Sequence, residues 1–236
     1  MRIRLFAVIA AAFLATTALQ ATPFGTPTLT LTGPGIDRNT PVVVHLTFEG
    51  DIVNGTGDGP SFSWGINADA DPIINWGLIA LVPGAYHMEF FLPLVPGSYD
   101  VLRNQASVTL SDGGDGPNGT TVSAITIDGQ VPNLVSVPSV LLTGGPITAP
   151  SGDIGGGSLG TQLAVQNFLN PFAMQIVVDF VMSSPDNDGS AAFTGQLLLT
   201  NLPSGDDGGE VPEPATTALI GLGLVGIAGL RTRLRK

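Results

Sequence analysis

Apolar and polar residues alternate in short runs through most of the chain, from residue 22 to residue 203. The runs are rich in Val, Ile, Thr and Phe, and clusters of Gly, Pro, Asp and Asn separate them. Clean alternation, as in ASVTLS and TVSAITI, is typical of strands with one solvated face. The pattern predicts about ten strands and an all-β fold, an antiparallel two-sheet β-sandwich of Ig-like or jelly-roll-like type.

Three segments of this body have further local signals. TQLAVQNFL (161–169) allows a helical turn or two, and APSGDIGGGSLG (149–160) is predicted to be a flexible loop. LVPGAY, ending at Tyr86, recurs as LVPGSY, ending at Tyr99, which predicts two Pro-Gly turns that each launch a strand. Similar turns in Ig-like sandwiches hold a tyrosine whose hydroxyl bonds back to the chain, and a place on a sugar-binding edge is the alternative.

The N-terminus has the pattern of a secretory signal peptide. Arg2 and Arg4 form a basic region, and the apolar run from Leu5 to Leu19 follows them. The run is shorter than the roughly 20 residues of a spanning helix. We therefore predict an exported chain whose signal helix, residues 1–21, is cleaved after Ala21, with Ala18 as the alternative.

The C-terminus, VPEPATTALIGLGLVGIAGLRTRLRK, predicts a membrane anchor. Ala215 to Leu230 is a run of 16 uncharged residues. As a helix it measures about 24 Å at ~1.5 Å per residue, slightly short for a ~30 Å hydrocarbon core. By the positive-inside rule the basic end stays in the cytoplasm as a stop-transfer signal. Its cations are Arg231, Arg233, Arg235 and Lys236.

This tail resembles the PEP-CTERM sorting signal, with Pro212, Glu213 and Pro214 as the recognition triplet and residues 231–236 as the basic anchor. The resemblance covers 26 of 236 residues. It implies processing by exosortase, a membrane protease-transferase of Gram-negative bacteria that make exopolysaccharide. It also implies transient anchoring in the inner membrane, then transfer to the cell surface or the exopolysaccharide matrix of a biofilm. The same tail is also named after ice-binding proteins, and it implies nothing about ice.

The predicted organisation is therefore a signal peptide (1–21), a sandwich domain (22–203), an acidic Gly-rich linker (204–210) and the sorting segment (211–236). Residues 22–214, which include the Pro-Glu-Pro triplet, contain two arginines and all 19 acidic residues, so this part has a formal charge of 2 − 19 = −17. Such a surface repels nucleic acid, which we exclude as a partner. The chain has no cysteine, which excludes disulfides and thiolate sites.

Candidate chemical groups are few. His45 and His87 are predicted to lie in strands, with a shared metal site as the less favoured alternative. Ser158 lies in GGSLG, but both histidines precede it, so the match to a nucleophile elbow is accidental. GLGLVG (221–226) lies inside the anchor, where it cannot bind a dinucleotide. We predict no catalytic residue and no cofactor.

Three acidic segments are predicted to be loops: NADADP (67–72), SDGGDGPNG (111–119) and SPDNDG (184–189). Asp-Gly and Asn-Gly, which occur in these segments after residue 110, are ordinary hairpin-turn sequences. Weak calcium binding is the alternative, because calcium prefers several oxygens in a flexible loop. No segment has EF-hand spacing, so no metal ligand is assigned.

These patterns predict a structural or adhesive, non-enzymatic domain exported to the cell surface or matrix. The alternative is a secreted carbohydrate-binding or carbohydrate-active protein, dependent on calcium if the acidic loops hold it. That alternative requires a concave face lined by Trp64, Trp76, Tyr86 and Tyr99, with two carboxylates facing each other.

Overall fold

A computed structural model describes residues 25–201 of the chain, except 38, 71, 96, 115 and 133–136. These residues form strands connected by turns. The strands are β1 (Thr28–Thr32), β2 (Val42–His45), β3 (Phe48–Glu49), β4 (Ile52–Asp58), β5 (Phe62–Asp69), β6 (Ile73–Ala80), β7 (Gly84–Pro93), β8 (Ser98–Ser111), β9 (Thr120–Gln130), β10 (Ser139–Gly144), β11 (Ile147–Ala149), β12 (Ile154–Leu169), β13 (Ala173–Ser183) and β14 (Ser190–Thr200).

The strands form two antiparallel sheets. Sheet 1 has the order β10-β9-β13-β7-β1-β2, with β11 also paired to β9. Sheet 2 has the order β12-β8-β14-β6-β5-β4-β3. From β6 onward the chain passes repeatedly between the sheets, so most neighbouring strands are distant in sequence. The prediction of an all-β, two-sheet antiparallel sandwich is confirmed.

The core lies between the sheets because alternate residues of each strand point inward. Tyr86 and Phe180 of sheet 1 stack with ring centroids 5.0 Å apart, and Phe180 meets Phe193 of sheet 2 at 4.3 Å. A polar contact also joins the sheets. Asn104 of β8 is buried and donates to the carbonyl oxygens of Ile127 (2.9 Å) and Val140 (2.8 Å) in sheet 1.

The first Pro-Gly turn holds its tyrosine as predicted. Burial places Tyr86 at the edge of the core, and its hydroxyl donates to the carbonyl oxygen of Ser61 at 2.9 Å. The same hydroxyl accepts from the backbone N–H of Val82 at 3.2 Å. Burial raises the pKa of the Tyr86 phenol above its ordinary value. Tyr86 is therefore a structural residue of the corner, and it does not lie on an open edge.

The prediction of a loop at 149–160 is wrong beyond residue 153, and 161–169 is strand as well. Both belong to β12, which pairs with β8 from Ile154 to Leu169. Its glycines allow close packing: a Cβ on Gly155 would lie 2.5 Å from the oxygen of Thr148, and one on Gly156 would lie 2.6 Å from that of Val108. Glycine here permits backbone contact within the sandwich, and it does not loosen the chain.

The predicted signal peptide (1–21), linker (204–210) and sorting segment (211–236) lie outside the described residues. Within the described part, no helix is long and apolar enough to cross a membrane. The predicted signal helix and anchor helix therefore remain predictions from sequence.

Candidate functional site

A row of polar side chains crosses the outer face of sheet 2. Asn54 of β4 pairs with Asn67 of β5, Asn67 pairs with Asn75 of β6, and Asn75 pairs with Gln196 of β14. Because cross-strand partners share a face, these amides stand side by side. The inward neighbours on the same strands are buried in the core, so this face points away from sheet 1. We call these four residues, with Arg103 of β8, the amide row.

A chain of hydrogen bonds runs along the amide row. Arg103 Nη2 donates to Gln196 Oε1 at 2.8 Å, and Gln196 Nε2 donates to Asn75 Oδ1 at 2.9 Å. Asn75 Nδ2 then donates to Asn67 Oδ1 at 3.5 Å, and Asn67 Nδ2 donates to Asn54 Oδ1 at 2.5 Å. Gln196 is 7% exposed, whereas Asn54 and Asn67 are exposed. The row is therefore held in place at one end and open at the other.

The aromatic residues expected at a sugar site are not on this face. Trp76 is 1% exposed and Trp64 is 9% exposed, and both point into the core. Tyr86 is also buried, and Tyr99 packs partly buried against the core. These four rings therefore do not form the open concave face that the carbohydrate alternative requires. Each indole instead covers the glycine opposite it in the neighbouring strand, Gly57 for Trp64 and Gly195 for Trp76.

The outer face of sheet 1 holds a second polar cluster. His87 Nδ1 is 2.9 Å from Asp179 Oδ1, and His87 Nε2 is 3.8 Å from Glu89 Oε2. A cavity of about 440 Å³ adjoins this pair, beside a β-bulge where Ala124 has a φ of 50°. The cluster is an imidazole between two carboxylates, and two of its members, His87 and Asp179, line the cavity.

His45 and His87 do not form a shared site. His45 pairs with Thr28 and His87 pairs with Thr32, at opposite ends of β1. Four residues of strand separate these positions by about 13 Å. The side chain of Ser158 accepts from the backbone N–H of Gly160 at 3.0 Å, and it lies in β12 rather than at a strand-to-helix turn.

The acidic segment 111–119 meets the loop that precedes β12. Asp112 Oδ1 accepts from the N–H groups of Gly114 (3.2 Å) and Gly152 (3.1 Å), and Oδ2 accepts from Thr120 Oγ1 at 2.8 Å. Burial raises the pKa of the Asp112 carboxyl, but these three hydrogen bonds outweigh burial and hold the pKa below its ordinary value. Asp112 thus joins the loops at 112–119 and 150–153.

The loop at 184–189 also behaves as a turn, because Asn187 has a φ of 58° and its N–H bonds to the oxygen of Ser184 at 3.0 Å. Asp186 Oδ2 accepts from the N–H of Asn118 at 3.1 Å. The remaining acidic segment, 67–72, is not a loop throughout as predicted, since Asn67 and Asp69 belong to β5. Among the described residues, no group of three His, Asp or Glu side chains could hold a metal ion. This geometry does not test weak calcium binding, which stays an alternative prediction from the sequence.

The C-terminal tail gives the decisive comparison with known proteins. Residues 210–236 match the family model of the PEP-CTERM protein-sorting motif. The tail is a PEP-CTERM motif. The match confirms the resemblance seen in the sequence and covers the triplet at 212–214 and the basic end. A PEP-CTERM motif indicates export and a location at the cell surface or outside the cell.

No curated protein is significantly similar to the chain. Among solved structures, the chain is similar to a carbohydrate-binding module, TmCBM61, which was solved in complex with beta-1,4-galactotriose. The sequence identity is 9% and the TM-score is 0.30, and the match covers 74% of this chain and 88% of that chain.

Proposed function

We propose that this chain is an exported protein of the cell surface or exopolysaccharide matrix of a Gram-negative bacterium. Exosortase sorts it through the PEP-CTERM motif, and its β-sandwich has a structural or adhesive role without catalysis. The observation that carries the proposal is the family match of residues 210–236. The sandwich then faces the exterior, where a surface with few positive charges stays soluble.

The non-enzymatic role is supported by where the candidate chemical groups lie. His87 lies between two carboxylates on sheet 1, and His45 lies two strands away, paired with the opposite end of β1. The hydroxyl of Ser158 accepts a hydrogen bond from its own strand. A nucleophile needs a base within hydrogen-bond reach, and the Ser158 hydroxyl and the two histidines do not have this arrangement.

Cell fractionation tests the sorting. In a host with exosortase, wild-type protein should leave the inner membrane, and a variant with Pro212, Glu213 and Pro214 changed to alanine should stay there. A host without exosortase should retain both. Equal release of wild type and variant would contradict sorting through the triplet, and release without exosortase would contradict the role of that enzyme.

A second candidate function, carbohydrate binding, is favoured by the amide row. Asn and Gln side chains both donate and accept hydrogen bonds, as sugar hydroxyls do, and the row places four of them on one outer sheet face, with Gln196 largely buried and Asn54 and Asn67 exposed. A glycan array with and without calcium tests this function. Binding to a defined set of glycans supports it, and an empty array in both conditions would contradict it. Binding only with calcium would assign a role to the acidic loops.

A further inference from the structure

We propose that the outer face of sheet 2 binds an extended, uncharged polysaccharide that lies along the amide row, across the strands. This inference rests on carbohydrate binding as the second candidate function and adds the site and the class of ligand. The site consists of the amide row and the adjoining shallow trough formed by Gly65, Gly77, Thr194 and Ser107.

The hydrogen bonds within the amide row leave each inner amide with one further donor and one further acceptor. A primary amide has two N–H donors and an oxygen with two lone pairs. Along the row, Asn67, Asn75 and Gln196 each use one N–H and one lone pair. The other N–H and lone pair of each amide are not used by the row. Because these hydrogen bonds also fix the orientation of each amide group, the side chains are preorganised for a ligand.

The spacing of the amide row suits a chain of repeated units. Neighbouring strands lie about 4.8 Å apart, so the four amides repeat at that interval and extend over about 14 Å. This interval is close to the length of one pyranose unit in an extended glycan. A polysaccharide that crosses the strands can therefore meet one amide with each successive sugar.

The trough beside the amide row is made by two glycines that the fold does not need. Gly65 and Gly77 face each other in β5 and β6, one step along the strands from Asn67 and Asn75. A Cβ on Gly65 would lie 3.8 Å from Thr56 Cγ2, and one on Gly77 would lie 3.7 Å from the oxygen of Phe193. Both are ordinary contacts, and neither glycine has a positive φ.

Glycine in a strand interior is destabilising and often marks a place where a ligand approaches the backbone. The inward glycines have a different cause. A Cβ on Gly195 would lie 2.4 Å from Trp76 Cζ2, so the indole requires that glycine. No protein group plays this part at Gly65 and Gly77. Hydroxyls continue the trough, since Thr194 pairs with both Gly77 and Ser107, and Ser107 Oγ lies 3.0 Å from Thr194 Oγ1.

The charge of the domain selects an uncharged ligand. The exported part carries 2 − 19 = −17, and Arg103 is the single cation of the amide row. Its guanidinium already donates to Gln196 and forms no salt bridge within the described residues. A polyanion would be repelled by the surrounding field, whereas neutral hydroxyls are not affected by it.

The test uses the full-length protein in mild detergent and measures affinity for cellulose, xylan, mannan and galactan, with alginate as the anionic comparison. The double variant Gly65→Ala, Gly77→Ala adds two methyl groups to the trough, each at an ordinary contact distance from other protein atoms. We expect wild type to bind a neutral polysaccharide and the double variant to bind it at least about tenfold more weakly. Asn75→Ala, which interrupts the amide row, should also weaken binding.

The matched control is Gly157→Ala. A Cβ there meets no atom within 4 Å, and Gly157 pairs with the inward-facing Val108, so it lies on the other face of the sheet. This variant should bind like wild type. Melting temperatures of the glycine variants should fall no more than about 2 °C below that of wild type, which separates a blocked site from a damaged fold.

Each of the other outcomes contradicts one part of the proposal. Wild type that binds none of the polysaccharides contradicts carbohydrate binding itself. If all variants still bind, carbohydrate binding is supported, and its assignment to the outer face of sheet 2 is contradicted. Preference for alginate removes the uncharged class. A dimer of wild type that the double variant lacks, without glycan binding, would make a second copy of the chain the occupant of the face.

Discussion

The indole ring of Trp76 lies against Gly195, its cross-strand partner in β14. A Cβ at Gly195 would lie 2.4 Å from Trp76 Cζ2, a distance that real Cβ atoms do not tolerate. Trp76 is 1% exposed and is surrounded by the core, so the ring has no free space into which it can move. This contact fixes where the largest side chain of sheet 2 sits.

We therefore expect Gly195→Ala to lower the free energy of unfolding by about 1–3 kcal/mol, because the methyl group overpacks the core. Gly77→Ala is the control, since its methyl group makes only an ordinary contact, 3.7 Å from the oxygen of Phe193, on the outer face of the same strand pair. Urea unfolding followed by tryptophan fluorescence measures both. Equal stabilities of the two variants would show that the ring adjusts freely.

Asn104 is the polar link between the sheets, and its replacement by aspartate should be severe. Asn104 donates two hydrogen bonds to backbone oxygens while fully buried. Aspartate would place a charge without a donor in the same position, which we expect to cost at least about 3 kcal/mol at neutral pH. Asn75→Asp makes the same change on the open face and should change stability by less than about 1 kcal/mol.

The destabilisation by Asn104→Asp should also decrease in acid. Burial without donors raises the pKa of a carboxyl in the folded state, so its penalty is relieved as the pH falls below that raised value. Urea titrations at several pH values measure this trend. A loss of stability that is small at neutral pH, or that grows in acid, would contradict the assigned hydrogen bonds.

The stability contributed by Asp112 should have the opposite pH dependence. Its folded pKa is lowered, because its three hydrogen bonds outweigh burial. The stability contributed by the carboxylate is therefore fully present above the unfolded pKa of about 3.9 and is lost as the pH falls through the lower folded pKa. Asp112→Asn should cost about 1–3 kcal/mol at neutral pH, and its difference from wild type should narrow below about pH 4. A difference that stays constant in acid would contradict this role.

The sequence predicts the class of fold because alternation is a local property. Phe62, Trp64 and Ile66 alternate with Ser63 and Gly65, and they point inward as the pattern requires. The same alternation puts Trp64 among the inward residues, which the aromatic face required by the carbohydrate alternative did not take into account. β12 was missed because its residues are mostly exposed and glycine-rich, so pairing with β8 determines its conformation more than local propensity does.

The amide row could not be predicted from the sequence. Asn75 and Gln196 are 121 residues apart, and they meet because β14 inserts between β6 and β8. Strand order and register decide which polar residues become neighbours, and neither is encoded in a local pattern. The available signal was narrower: Asn67, Asn75 and Gln196 each occupy an outward position of a strand whose inward positions are apolar.

The mass of the mature protein tests the central claim, that the PEP-CTERM motif is a processing signal. Two prolines keep the backbone around Glu213 extended and without helical hydrogen bonds, so a membrane protease can reach it. From a host with exosortase, we expect wild type to end near the triplet and the alanine variant of residues 212–214 to end at Lys236. Neutral replacements of the four terminal cations should instead weaken membrane retention. Wild-type protein that still ends at Lys236 would contradict processing and leave a plain membrane anchor.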